Sequence, residues 1–109
     1  MNGFLALLAA ATAQLTIGTI DLRSADFLDG RAIAGGTGTP IVMLTLTPAT
    51  TSRLAKLGPK PDVQIDGVVT AARITGNTVE IDGQPNFEAA RKLALALSGK
   101  PPLPDSLDE

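Results

Sequence analysis

The sequence predicts one α+β domain in which two helices cover an antiparallel or mixed β-sheet. Short alternating or apolar runs between glycine-containing turns predict the strands. Two further segments begin with a capping residue and end at a glycine, as helices do. Each helix is apolar along one side only, so it needs an adjoining surface to cover that side. The 109 residues, 44% of them hydrophobic, suffice for one such core and not for two.

The N-terminal segment resembles a secretory signal peptide. An apolar run from Phe4 to Ala11 overlaps the A-x-A site Ala11-Thr12-Ala13, and this combination is typical of a signal that is cleaved during export. We therefore predict a signal peptide at 1–13, a domain at 14–104 and a disordered acidic tail at 105–109. A helix of the folded core and an uncharged membrane anchor remain alternatives for the first twenty residues. Cleavage after residue 13 predicts a periplasmic or secreted protein.

Strand signals begin immediately after this segment. Leu15–Ile20 alternates apolar with small or polar residues, which predicts a half-buried strand. Leu28-Asp29-Gly30 predicts a turn, since Asp and Gly tolerate the backbone angles of tight turns. A flexible glycine-rich loop is predicted at 34–39, and a mostly apolar strand is predicted at Ile41–Leu46.

The first helix is predicted from Pro48 to Leu57. Thr47 can cap the free amides, and proline at the first helical position gives up an amide that would be unpaired there. Gly58 followed by Pro59 ends the helix.

A three-stranded meander is predicted next. Asp66-Gly67 is the strongest hairpin signal in the chain, and it separates Val63–Ile65 from Val68–Ile74. A second turn at Gly76-Asn77 leads to the strand Thr78–Ile81. The predicted structural turn and cap residues of this part of the chain are Asp66, Gly67, Gly76, Gly83, Asn86 and Gly99.

The second helix is predicted from Phe87 to Ser98. Asn86 is its predicted cap, and Gly99 followed by Lys100-Pro101-Pro102 is its predicted end. Its apolar side chains recur at helical spacing, which predicts a buried stripe along one side of the helix. These residues are Phe87, Ala90, Ala94 and Leu97, with Leu93 beside them.

Composition excludes several classes of function. The chain has no Cys and no His, which excludes zinc fingers, disulfide frameworks, and thiol or imidazole catalysis. The net charge is −2, the basic residues are scattered, and Trp and Tyr are absent, so neither a phosphate-binding stripe nor a base-stacking platform is expected. We predict a protein that is not an enzyme, uses no metal or cofactor and binds no nucleic acid.

Four local patterns that could carry chemistry have plainer explanations. Gly35–Thr39 is glycine-rich, but it precedes a strand instead of the helix that a phosphate loop needs. Asp66 and Asp82 could form a carboxylate pair, yet each stands before a glycine in a predicted turn. Ser52 and Lys56 lie four residues apart on a predicted helix and could form a Ser-Lys dyad, which needs a desolvated lysine. The helix also carries an arginine, which indicates a solvent-exposed side. The terminal carboxylates Asp105, Asp108 and Glu109 fall in the predicted tail.

The order and spacing of four stretches resemble a known family. They resemble the head subdomain of the first periplasmic domain of the SecD family, including the fused SecDF proteins, which assist protein export. The stretches are Ser24-Ala25-Asp26 with Thr39–Pro48, the hairpin Val63–Ile74, the segment Thr75–Gly83, and Asn86–Pro104.

This resemblance implies an α+β domain with two helices on one face of the sheet. It also implies a non-catalytic module of the cell envelope that binds extended polypeptide or a component of the export machinery. An exposed strand edge could recruit such a chain by β-augmentation, and the sequence leaves open which edge that is. A structural or self-association module that kept the fold without the export role is the alternative, and the oligomeric state is left open.

Overall fold

The computed structural model describes residues 13–58 and 60–105. Within them, helix α1 spans Pro48–Ala55, helix α2 spans Phe87–Ser98, and a 3₁₀ turn spans Ser24–Asp26. The strands are β1 (Leu15–Ile17), β2 (Ile20–Leu22), β3 (Phe27–Ala34), β4 (Pro40–Leu46), β5 (Val63–Ile65), β6 (Val68–Val69), β7 (Ala72–Thr75) and β8 (Thr78–Ile81).

The strands form two four-stranded sheets with antiparallel pairing throughout. Their orders are β2-β1-β5-β6 and β3-β4-β8-β7. The predicted α+β class and the antiparallel pairing are therefore confirmed, although the strands are divided between two sheets. Helix α2 packs against β3 and β4. That both helices cover one face of a sheet stays a prediction.

Two successive units of the chain have the same element order. The first unit is β1 to β4 followed by α1, and the second is β5 to β8 followed by α2. Exchanging the two units leaves the strand order of both sheets unchanged, because β1 pairs with β5 and β4 pairs with β8. Under this exchange the edge strand β3 corresponds to the edge strand β7, and α1 corresponds to α2.

Two predicted strands are each divided in the structure. Leu15–Ile20 is wrong as a single strand, because Gly18 has a φ of 61° and turns the chain back so that β1 pairs with β2. The predicted strand Val68–Ile74 changes sheets in its middle. Thr70 donates its N–H to Val63 in one sheet, whereas the carbonyl of Ala71 accepts from Asp82 in the other. The predicted meander is therefore two hairpins in different sheets.

The predicted turn at Leu28-Asp29-Gly30 is also wrong, because these residues lie inside β3. Gly30 is buried under α2. A Cβ atom at this position would lie 3.0 Å from Leu44 Cδ2 and 3.4 Å from Ala94 Cβ. The glycine therefore serves the close approach of a helix to a strand, which is the other common reason for glycine inside an element.

The helix bounds are close to those predicted. Helix α2 has the predicted bounds, whereas α1 ends at Ala55 instead of Leu57. One hydrophobic cluster contains buried residues of both sheets and both helices, so the described residues share a single core. Its largest fully buried apolar side chains are Phe27, Leu15, Ile17, Leu44, Leu46, Ile81, Val42 and Val79.

The two predicted terminal segments lie largely outside the described residues. Of the predicted signal peptide, Ala13 is described, and its N–H donates to the carbonyl of Ala96 on α2 at 3.1 Å. Of the predicted tail, Asp105 is described, and its carboxylate accepts from Arg91. No helix in 13–58 or 60–105 is long and apolar enough to cross a membrane.

Candidate functional site

The predicted turn residues lie in hairpin turns and at the end of a strand. Asp66 and Gly67 have φ values of 51° and 83°, which suit the two-residue turn between β5 and β6. Gly76 has a φ of 58° in the turn between β7 and β8, and Gly83, just beyond β8, has a φ of 82°. These residues shape the backbone of the turns.

The two predicted cap residues lie at the ends of α2. Asn86 Oδ1 accepts the N–H of Ala89 at 2.7 Å, and Gly99 donates its N–H to Leu95 O at 2.8 Å with a φ of 72°. Helix α1 is capped less closely, since Thr47 Oγ1 accepts the N–H of Thr50 at 3.2 Å.

The carboxylates singled out in the sequence serve separate structural contacts. Asp66 accepts the N–H of Gln14 at 2.9 Å. Asp82 accepts from Arg73, which also contacts Glu80. Among the described residues no group of three His, Cys, Asp or Glu is placed to hold a metal ion. The arrangement thus gives these carboxylates a structural role at the surface.

Asp26 joins the 3₁₀ turn to helix α1. One carboxylate oxygen accepts from Thr50 Oγ1 at 2.7 Å and from Arg53 at 3.2 Å, while the other accepts the N–H of Arg23 at 2.8 Å. Burial raises the pKa of this carboxyl. The hydrogen bonds from Arg23 and Thr50, together with the charge of Arg53, outweigh burial and hold the pKa below its usual value. The contact fixes the first turn of α1 through polar groups.

The free edge of β7 is the strongest candidate for a binding site. Strand β7 pairs with β8 on one side and ends its sheet on the other. The hydrogen bond from Asp82 N to Ala71 O shows which residues face β8. Because bonded and non-bonded pairs alternate in an antiparallel ladder, Ala72 and Ile74 direct their N–H and C=O groups away from β8. An edge of this kind is a template for another strand.

Two adjoining grooves lie along this edge. The first has a volume of about 450 Å³ and is lined by β7 on one side and by Lys60, Pro61 and Val63 on the other. The second, of about 250 Å³, continues toward α1 and is lined by Thr51, Leu54, Ala55, Gly58, Pro61, Ile74 and Gly76. Both grooves share Pro61 and Ile74, so they form one depression between β7 and the segment that follows α1. Its walls combine apolar side chains such as Pro61, Val63 and Ile74 with the polar residues Lys60, Arg73 and Thr75.

The polar groups beside the grooves are mostly paired. The guanidinium of Arg73 contacts Glu80 at 3.0 Å and Asp82 at 2.9 Å on the solvent side of β7. Lys60 is exposed at the rim. The edge therefore offers backbone donors and acceptors beside a depression with both apolar and polar walls, and it carries little unbalanced charge.

The other edge strands are shorter or partly covered. Strands β2 and β6 have three and two residues. Strand β3 is longer, but the carbonyl of Gly30 on its outer edge accepts the N–H of Leu103 at 2.8 Å. The side chains of Val68 and Val69 on β6 are 66% and 68% exposed, which makes β6 the second candidate surface.

Sequence reasoning missed this site because it placed Val68–Ile74 in the middle of a meander. The break at Thr70-Ala71 makes β7 an edge strand, and neither residue is a strong breaker of strands. Scans of family models and searches of the curated proteins and of the solved structures found no match to this chain.

Proposed function

We propose that this protein is a non-catalytic module of the cell envelope that binds extended polypeptide at the β7 edge, in support of protein export. The observation that carries the proposal is that Ala72 and Ile74 direct their backbone groups outward beside a groove to which Pro61 and Val63 contribute apolar surface. An added strand would exchange hydrogen bonds with these groups and extend the sheet by one strand. Each such bond contributes about 0.5–1.5 kcal/mol net.

The groove provides the second part of the binding energy. Successive side chains of an added strand point to opposite faces of the sheet. One row would therefore enter the depression lined by Pro61, Val63 and Ile74 and bury apolar surface there, at about 25 cal/mol per Å². The other row would lie on the opposite side of the sheet edge, where the Arg73 guanidinium pairs with Glu80 and Asp82.

The resemblance to the SecD head supports the export role. A chain that crosses a membrane in extended form exposes the backbone groups that a strand edge pairs with, so the proposed site fits such a substrate. The apolar N-terminal stretch and its A-x-A site support placement in the periplasm. The lack of Cys and His favours binding over reaction.

The proposal is tested by closing the edge. In Ala72→Pro, the proline removes an N–H that points away from β8, so the pairing within the sheet is kept. We expect the affinity for a reduced, carboxymethylated secretory protein to fall about 3- to 10-fold, which corresponds to the loss of one net hydrogen bond. Binding is measured by fluorescence anisotropy of the labelled unfolded chain.

Val69→Pro is the matched control, because it places the same residue on the edge strand β6. It should leave the affinity unchanged. Ile74→Lys puts a charge into the groove without changing the backbone, and it should weaken binding by a similar factor even if the proline variant fails to fold. Equal binding by all three variants would reject the β7 edge as the site.

Self-association is the second candidate function, and the exposure of Val68 and Val69 on β6 favours it. In this alternative, β6 pairs with β6 of a second copy. Light scattering of the purified chain distinguishes the two proposals. A homodimer that dissociates in a Val68→Lys, Val69→Lys double variant supports self-association, whereas a monomer supports capture of polypeptide at β7.

A further inference from the structure

We infer that the β7 edge selects segments with apolar side chains at every second residue, paired antiparallel to β7 through free N–H groups. The inference rests on the proposed function and specifies the class of polypeptide that the same site takes. It excludes helical segments and segments whose apolar residues are clustered.

The geometry of β7 sets the period of two. Only alternate residues of the strand, Ala72 and Ile74, direct backbone groups outward. Their side chains are half-buried, whereas those of Arg73 and Thr75 are exposed. In an antiparallel pair, directly opposite residues place their side chains on the same face of the sheet. The occupant's residues opposite Ala72 and Ile74 therefore face the part of the depression that Pro61 and Val63 line.

The chain itself shows how a segment occupies the corresponding edge. Strand β3 occupies the position in the first unit that β7 occupies in the second. The segment that follows α2 covers part of the free edge of β3. Leu103 donates its N–H to the carbonyl of Gly30 at 2.8 Å, its side chain is half-buried, and Pro102 and Pro104 flank it. One apolar residue with a free N–H thus makes the contact. At β7 the corresponding segment, which includes Lys60 and Pro61, stands across a groove instead.

Charge does not favour a charged occupant. Arg73 is matched by Glu80 and Asp82 on the solvent side of the edge. A charge buried in the groove would lose its hydration, and Lys60 is exposed at the groove's rim. We therefore expect the affinity to change little with ionic strength, unlike a contact held by exposed charges.

The test uses synthetic octapeptides of one composition, each with three valines and three serines between terminal lysines. In the first peptide valine and serine alternate, and in the second the serines precede the valines as blocks. We expect the alternating peptide to bind about tenfold more tightly by fluorescence anisotropy, the factor that about 1.4 kcal/mol gives. Equal affinities of the two peptides would overturn the inference.

N-methylation gives the second, independent measurement. In the alternating peptide, methylating every valine nitrogen removes the N–H groups that face β7. The affinity should therefore fall at least as much as the loss of one hydrogen bond predicts, which is about 3- to 10-fold. Methylating every serine nitrogen should leave it unchanged. Sensitivity to both sets, to neither, or to the serine set alone would overturn the inference.

Failure of the inference and failure of the proposed function are distinguishable. Suppose that the protein binds the unfolded secretory protein, that Ala72→Pro weakens this binding, and that the two peptides bind equally. This result rejects the inference and keeps the proposed function. Absence of binding by both the unfolded protein and the peptides rejects the two together.

Discussion

The two ends of the β3-β4-β8-β7 sheet are built from corresponding elements and finish differently. At the β3 end, α2 packs directly on the strand, and the segment after α2 reaches the strand edge through Leu103. At the β7 end, grooves separate the strand from α1 and from the segment after it. One end of the sheet is covered and the other stays open, although the two units share one topology.

The difference comes from side-chain size and from the kind of contact that holds each helix. Gly30 on β3 lets Ala94 of α2 approach closely, so this helix is held by apolar packing along its length. Ile74 occupies β7, and α1 is fixed at its first turn by the hydrogen bonds of Asp26 with Thr50 and Arg53. Small residues thus bring α2 close to β3, whereas α1 is held at its first turn by polar groups.

The largest expected effect compares one buried leucine from each helix. Leu97 on α2 and Leu54 on α1 are 4% and 5% exposed. Leu97→Ala should lower the free energy of unfolding by about 3–4 kcal/mol, because tightly packed surroundings leave a cavity. Leu54→Ala should cost about 2 kcal/mol, since this side chain already borders a groove. Urea unfolding measures both, and a larger loss for Leu54→Ala would contradict the comparison.

The next effect tests the close approach at β3. Gly30→Val should lower the free energy of unfolding by about 1–3 kcal/mol, because the added atoms meet Leu44 and Ala94. Gly36→Val is the matched control, since a Cβ at Gly36 meets nothing within 4 Å. It should change stability by less than about 0.5 kcal/mol. Similar values for the two variants would show that α2 does not depend on the small residue in β3.

Sequence predicted the elements that have strong local signals. The N-cap Asn86 and the αL residue Gly99 act within one helical turn, so α2 has the predicted bounds. The signal Asp66-Gly67 likewise acts locally, because the backbone angles of these two adjacent residues set the hairpin turn. The turn predicted at Leu28-Asp29-Gly30 was wrong. The same Asp-Gly dipeptide lies there inside β3, and helix α2 of the other unit packs on Gly30.

The candidate site could not be predicted because it depends on pairing across the chain. Strand β7 is an edge strand because Val68–Ile74 is divided between two sheets. This division follows from the pairing of β5 with β1 in one sheet and of β8 with β4 in the other. No local pattern encodes these distant partners. The groove likewise needs Pro61 and Ile74 to meet across the fold.

A smaller effect tests the polar anchor of α1. Asp26→Asn should lower the free energy of unfolding at pH 7 by about 1 kcal/mol, since the amide loses the charge that strengthens the bonds from Arg23 and Arg53. The pKa of Asp26 is lowered in the folded state, so its contribution is present above the unfolded value of about 3.9 and is lost as pH falls through the folded value.

Urea unfolding at several pH values between neutral and strongly acidic measures this contribution. The Asp26→Asn variant should lose less stability on acidification than the unmodified chain. Asp62→Asn is the control, because Asp62 is exposed and its carboxylate has no hydrogen bond to a described residue. Parallel pH profiles of the Asp26→Asn variant and the unmodified chain would remove Asp26 from the anchor.

The smallest effect on stability concerns the segment that covers β3. Asp105→Asn breaks an exposed ion pair with Arg91, so the free energy of unfolding should fall by less than about 1 kcal/mol. The amide of Leu103 should nevertheless exchange faster with solvent, because its bond to Gly30 opens more often when the segment is released. Glu88→Gln, which removes the exposed pair with Lys92, should leave that exchange unchanged. The number of alternating octapeptides bound per Asp105→Asn protein then separates two explanations. Two peptides per protein would mean that the covering segment makes the two ends of the sheet different. One peptide per protein would mean that a strand edge binds only where a groove lies beside it, as at β7.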